Sequence, residues 1–252
     1  MTNLDTIRAS AETALVAFIA VNVPVVAAVA FAAGNAVLAP SLMALALTAA
    51  ALAGWRLAPG TAGTRATLAV AIMGMPALVV FALQGHPWQI DGHMYFFAAL
   101  AMVTALCDWR AILFGAAAVA LHHLSLNFLM PLAIFPEGTS AVRVLVHAVI
   151  VVVEAGALVW LADRLVRAFD GAQQAVTEAE QARAQAESAN AEREAAERAA
   201  QQEKQRALQD LADRFESQVG EVIAAVGQQT GELDQAVQQM RRIAEDGRGR
   251  AE

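Results

Sequence analysis

Six apolar stretches, at residues 12–33, 36–56, 66–84, 92–108, 110–131 and 141–164, occupy the first two thirds of this 252-residue chain and leave few folds open to it. A helix needs about 20 predominantly apolar residues to cross a hydrocarbon core about 30 Å thick. Each stretch reaches or approaches that length, the fourth being the shortest. In lipid every backbone N–H and C=O must be satisfied inside the structure, so only helices and closed barrels span. The runs are rich in Ala, Val and Leu and lack the period-two alternation of a barrel strand. The expected fold class is all-α: a short N-terminus at 1–11, a six-helix transmembrane bundle over 12–166, and a long cytoplasmic coiled-coil helix after it. Pro24, Pro40 and Pro76 fall in or near the first three spans, where a missing N–H is expected to kink the helix.

Charge separates the bundle from the C-terminal tail. Residues 1–167 hold seven acids and seven arginines, whereas the last 85 residues hold 17 acids and 10 bases, so the whole net charge of -7 lies in the C-terminal third. That tail lacks the clustered Lys and Arg that displace phosphate counterions, which sets nucleic acid aside as a partner. The lone Cys107 forms no intrachain disulfide. The first apolar run is longer than the roughly 7–15 residues of a signal-peptide core and reads as a retained helix. Arg56, Arg65, Arg110, Arg164 and Arg167 border alternate loops, and the opposite loops carry only Asp91 and Glu137 before Arg143. By the positive-inside rule both termini are expected in the cytoplasm.

The tail has a seam. Alanines at 172, 175, 179, 182, 186 and 189 recur at alternating steps of three and four, the spacing of a coiled coil. From Leu208 larger residues take over, at Leu211, Phe215, Val219, Val222, Val226, Leu233, Val237 and Met240. The step from Phe215 to Val219 breaks the strict heptad as a stutter does. Since no proline follows Pro136, a helix continuous from Val142 into the tail is expected, with 167–207 as an Ala-rich coiled-coil linker and 208–252 as a second segment.

The stretch Leu211-Ala-Asp-Arg-Phe-Glu-Ser-Gln-Val-Gly-Glu-Val-Ile-Ala-Ala-Val, continuing to Thr230-Gly-Glu-Leu and Met240, resembles the start of the cytoplasmic signalling helix of bacterial methyl-accepting chemotaxis proteins. Upstream, Gln84-Gly-His-Pro-Trp-Gln-Ile-Asp-Gly-His-Met-Tyr-Phe-Phe, with Asp108-Trp-Arg, His122-His123 and Asn127, resembles the multi-span input module of some of these receptors. The resemblance implies a homodimeric receptor in the bacterial inner membrane that regulates a chemotaxis kinase through an adaptor. The residues that match such receptors stop before the hairpin tip that would contact kinase and adaptor, and no HAMP relay follows the last span. Gln228-Gln229 and Gln238-Gln239 read as solvated face residues despite a superficial likeness to methylation sites.

The five histidines, His86, His93, His122, His123 and His147, all lie between residues 86 and 147. With both termini in the cytoplasm, four segments bring imidazoles to the outer half of the membrane. Ionisable groups there are costly and mark functional sites by default. Neutral imidazole suits Cu, Zn or Fe, so a transition-metal centre is expected from His93, one of His122 and His123, and His147, with His86, Asp91 and Glu154 as further or supporting groups. Adjacent helical residues point about 100° apart, hence one of His122 and His123 faces any single centre. The alternative cofactor is haem b, held by two of His93, His122, His123 and His147; a third reading is interhelical hydrogen bonding with nothing bound. Cys107, Trp88, Trp109, Met94 and Met130 read as packing or interfacial residues. The function expected is signal transduction without catalysis, in which a metal, redox or haem-linked stimulus is relayed through the dimeric helix. The alternative is a membrane-embedded metalloenzyme or haem protein with a coiled-coil oligomerisation tail.

Overall fold

The structure, a computed structural model, describes residues 3–249, with side-chain surroundings over 4–244. It is all-α. The helices are α1 (Asn3–Ala32), α2 (Leu38–Leu57), α3 (Ala62–Ala82), α4 (Gln89–Gly92), α5 (Met94–Val103), α6 (Trp109–Leu129) and α7 (Ala141–Gly249), with 3₁₀ turns at Thr104–Leu106 and Pro131–Ala133. Five of them, α1, α2, α3, α6 and α7, are long and apolar enough to cross a membrane.

The fourth apolar stretch is helical but broken. It is divided among α4, α5 and the turn Thr104–Leu106, and α5 has only 10 residues. The breaks have local causes. At the first, the amide of His93 donates to Ile90 and that of Phe96 to His93, both bonds of the tighter i→i+3 kind. At the second, Cys107 takes the left-handed conformation (φ 48°), and the extended Asp108 then caps α6 by accepting from the Arg110 amide at 3.0 Å. Arg8 closes this end by donating to the carbonyls of Leu106 and Cys107 at 3.3 and 2.8 Å.

Contacts divide the chain after Glu178, and the two units are taken separately. In the first, α3 is the hub: it packs on α1, α2, α5 and α6 and buries residues on most of its circumference, whereas α7 buries only Ala155 and Ala162 among the described residues. Leu68, Ile72, Met75 and Val80 of α3 meet Ile19 and Val26 of α1, Ala44 and Ala51 of α2, Leu100 of α5 and Ile112 of α6. Steps of seven, such as 19 to 26 and 44 to 51, are two helical turns and put each pair on one face. Gly115 lets α6 approach closely, because a Cβ there would meet Met73 Cγ and Leu100 Cδ1 at 3.3 Å. Helix α7 joins through a stripe of Val151, Ala155, Leu158, Val159 and Ala162. Pro24 and Pro76 lie inside α1 and α3, which run on through them, and Pro40 sits in the first turn of α2.

At one end of this unit a buried charge network ties three segments. Arg65 Nε donates to Asp108 Oδ2 at 2.7 Å, its Nη1 donates to the Gly60 carbonyl at 2.8 Å, and Glu12 Oε1 stands 4.0 Å from that nitrogen. Glu12 Oε2 accepts from the amide of Gly60, whose φ of +74° makes the sharp turn between α2 and α3.

In the second unit the described residues form one solvent-facing helical segment. It carries i,i+4 ion pairs such as Arg183–Glu187, Arg193–Glu197 and Arg214–Asp210. The seam residues Leu208, Leu211, Phe215, Val222, Val226, Leu233 and Met240 are all exposed.

Candidate metal centre

Three of the five histidines converge. His93 stands at the joint between α4 and α5, His123 near the end of α6, and His147 two turns into α7. Each offers a ligand nitrogen, and the three nitrogens lie within 4.8 Å of one another. Ring centroids are 5.8 Å apart for His93–His123, 5.7 Å for His93–His147 and 5.5 Å for His123–His147, a nearly equilateral arrangement.

One device orients all three rings. Nδ1 of His93 lies 2.9 Å from the Gln89 carbonyl, Nδ1 of His123 lies 3.0 Å from that of Val119, and Nδ1 of His147 lies 2.7 Å from that of Arg143. Every partner is the carbonyl four residues earlier. A carbonyl only accepts, so the proton belongs on Nδ1 and the lone pair on Nε2. Metal-ligating histidines are commonly fixed in this way, by a second interaction that selects the tautomer and aims the other nitrogen. Consistent with that role, Nε2 of His93 and Nε2 of His123 are buried and have no protein partner. An unpaired buried acceptor is destabilising by about 1–3 kcal/mol, and a bound ion would relieve two at once.

The surroundings hold this arrangement. Phe135, from the segment before α7, stacks on His93 with centroids 5.7 Å apart and planes 8° apart, and presents an edge to His147. Arg143 places its guanidinium 5.1 Å from the Phe135 ring and pairs with Glu137. Gln89 is fully buried: its Nε2 donates to the Leu132 carbonyl at 2.9 Å, its Oε1 accepts from the Gly85 amide, and its own carbonyl takes His93. Asn127 joins α6 to the start of α7, accepting from the Ser140 amide at 2.8 Å, while Ser140 Oγ accepts from the Arg143 amide.

His122 lies outside the group of three. Its Nδ1 is 3.4 Å from Nδ1 of His123, where it offers a weaker second acceptor to that N–H, and its ring rests against Phe96. His86 accepts from the Trp88 amide and packs edge-on to that indole. Asp91 is exposed on α4 beside a shallow hollow with Leu83, Trp88 and Gly92. Glu154 lies seven residues beyond His147, and its Oε2 is buried without a partner. Among the described residues the only cluster of His, Cys, Asp or Glu with metal-binding spacing is His93, His123 and His147. Gln89 and Phe135 were not anticipated as site residues. The signals for them were an uncharged polar residue beside an apolar run and a phenylalanine next to proline in a connecting loop.

With three nearly equidistant rings, a single ion could be held by all three at once. The three rings also form one wall of a cavity of about 720 Å³ between α5, α6 and α7, otherwise lined by apolar residues including Phe97, Leu113, Ala120, Ala148, Val152 and Gly156. Comparison with family models, with curated proteins and with solved structures finds no match.

Proposed function

We propose that the protein is a transmembrane signal transducer whose input is a transition-metal centre formed by His93, His123 and His147. The observation that carries this reading is the convergence of His93, His123 and His147, one of them on α7, with a ligand nitrogen from each within 4.8 Å of the others. Metal–imidazole bonds of about 2.0–2.1 Å around a tetrahedral ion place ligand nitrogens about 3.3 Å apart. Starting from nitrogens within 4.8 Å, occupancy would draw α7 toward α5 and α6 by at most about 1.5 Å. Helix displacements of about 1–2 Å are the scale on which interfaces switch. Light packing favours such movement, since Ala155 and Ala162 are the only described residues of α7 that are buried.

The output side rests on the tail. Its exposed apolar seam calls for a second helix, and a homodimeric coiled coil is the simplest cover. The resemblance of residues 211–240 to a chemoreceptor signalling helix supports a chemotaxis kinase and its adaptor as the downstream partners. The arginine distribution supports a bacterial inner-membrane location with both termini in the cytoplasm.

The test uses the full chain in lipid nanodiscs. Val219→Cys or Val226→Cys, each in a Cys107→Ala background, is cross-linked with and without added Cu, Zn or Fe. One metal per chain and a metal-dependent change in disulfide yield, both abolished by His147→Ala, are expected. Stoichiometric metal with an unchanged cross-linking pattern would overturn transduction; no bound metal would overturn the input site.

A further inference from the structure

We infer that the three-histidine centre is a copper(I) site with one open coordination position, and that this position receives a small uncharged diatomic ligand from the hydrocarbon phase. The inference rests on the reading of His93, His123 and His147 as a metal centre and adds the identity of the ion and of its exogenous ligand.

The choice of ion follows from charge. All three donors are neutral imidazoles, and among the described residues no carboxylate or thiolate has metal-binding spacing with them. Asp91 is exposed on α4, and the buried oxygen of Glu154 lies two helical turns along α7 from His147. Neutral donors leave the ion's charge uncompensated. The cost of taking an ion into a low-dielectric interior grows with the square of its charge, so a divalent ion costs about four times as much as a monovalent one of similar size. Among the metals that imidazole suits, only copper is stable as a monovalent ion. A zinc ion could lower its charge by binding hydroxide, but that hydroxide would need hydrogen-bonding partners. Apart from the three histidines, every lining side chain of the cavity is Phe, Leu, Ala or Val, with Gly156 adding none, and none of these donates or accepts.

The open position follows from geometry. Nδ1 of each ring is committed to its backbone carbonyl, so an ion here would have three Nε2 donors and a fourth position that no side chain among the described residues fills. Phe135 covers His93 by stacking. All three rings border the cavity between α5, α6 and α7, so the uncovered side of the ion faces it. The lining includes exposed residues on α6 (Leu113, Ala117, Ala120, Leu124) and on α7 (Val152, Gly156), which opens the cavity to the surroundings of the bundle. A charged or strongly hydrated ligand would lose its hydration there without replacement. A neutral diatomic that dissolves in lipid and accepts electron density from Cu(I) loses little.

The experiment loads the full chain in nanodiscs with Cu(I) under anaerobic conditions, in competition with a colourless Cu(I) chelator, and separately with Zn²⁺. Carbon monoxide is the ligand probe, read by its infrared stretch and the shift on ¹³CO substitution. One Cu(I) per chain, a single carbonyl band, and loss of both in His147→Ala but not in His86→Ala are expected. Ala120→Phe fills the mouth from an exposed position one turn before His123, and is expected to keep copper while slowing CO binding by on the order of tenfold. Zinc held with Cu(I) refused would overturn the copper assignment and leave the three-histidine centre standing. Copper held without a carbonyl band, or CO binding indifferent to Ala120→Phe, would overturn the open membrane-facing position. Neither metal bound would remove the centre itself.

Discussion

Arg65 provides the sharpest quantitative test of the fold. Its side chain is 11% exposed and lies between Glu12, 1% exposed, and Asp108, 9% exposed. Arg65→Ala removes the 2.7 Å bond to Asp108, the 2.8 Å bond to the Gly60 carbonyl and the cation beside Glu12. It leaves two buried carboxylates with reduced compensation. Each keeps one backbone partner, since Asp108 Oδ1 still accepts from Arg110 and Glu12 Oε2 from Gly60, which limits the loss. Removing one member of a buried ion pair costs about 3–5 kcal/mol, and that is the expected destabilisation. Asp108→Asn separates charge from capping, because Asn caps a helix about as well as Asp. It is expected to cost about 1–3 kcal/mol, the loss of a charge-assisted bond. Reversible unfolding of the detergent-solubilised protein by SDS, followed by the fluorescence of its four tryptophans, measures both, and the Arg65→Ala/Asp108→Asn double mutant closes the cycle. Metal affinity serves as a control and is expected to be unchanged. A cost for Arg65→Ala below about 1 kcal/mol, the level of exposed ion pairs, would refute the view that these carboxylates are shielded from water.

Phe135→Ala is expected to lower stability by about 3–5 kcal/mol, as for other buried aromatic deletions, and to weaken metal binding because His93 loses its stacking partner; isothermal titration beside the unfolding assay checks both. Cys107→Val is expected to cost at least about 1 kcal/mol more than Cys107→Ala, since a β-branched residue is poorly accommodated at φ 48°; the same unfolding assay compares the two. The hydrogen bond from Arg143 holds the Glu137 carboxyl below the usual glutamate range. A lowered folded-state value means stability that is present above the unfolded value and is lost as pH falls through the folded one. The wild type and Glu137→Gln should therefore converge in melting temperature in acid and separate toward neutral pH, the difference shrinking in high salt; parallel curves at all pH values would contradict the pairing.

The histidine cluster shows what sequence pattern carries and where it stops. Apolar run lengths placed α2, α3 and α6 to within a few residues, and the end of α1 but not its start, since that helix begins nine residues before the apolar run, at Asn3. The 100° step between neighbouring helical residues required a choice between His122 and His123, and the choice of His123 comes from the facing of α6 against α5 and α7. Spacing along one helix could not show that Glu154, though on the face of His147, lies outside the group of three. Depth and rotation must both match. The break at Cys107 was hidden by composition, because Thr104, Ala105 and Leu106 read as apolar helix until the left-handed residue after them is seen. Gln89 and Phe135 carry only weak local signals, a polar residue beside an apolar run and a Phe next to a Pro, and those signals do not name their partners Leu132 and His93, more than 40 residues away in sequence.

The 10-residue length of α5 bears on what the rest of the chain must supply. Such a helix rises about 15 Å, half the thickness of a hydrocarbon core, so α5 by itself is too short to span one. The polar backbone at its two ends must find protein partners at membrane depth. At the far end Arg8 donates to the carbonyls of Leu106 and Cys107, and beside the near end the Gln89 side chain donates to the Leu132 carbonyl, so the contacts come from segments on both sides of the fourth stretch in the chain. A chain truncated before Leu132 would lack the carbonyl that holds the Gln89 side chain, so the residue whose own carbonyl seats His93 is fixed by a contact made after α6.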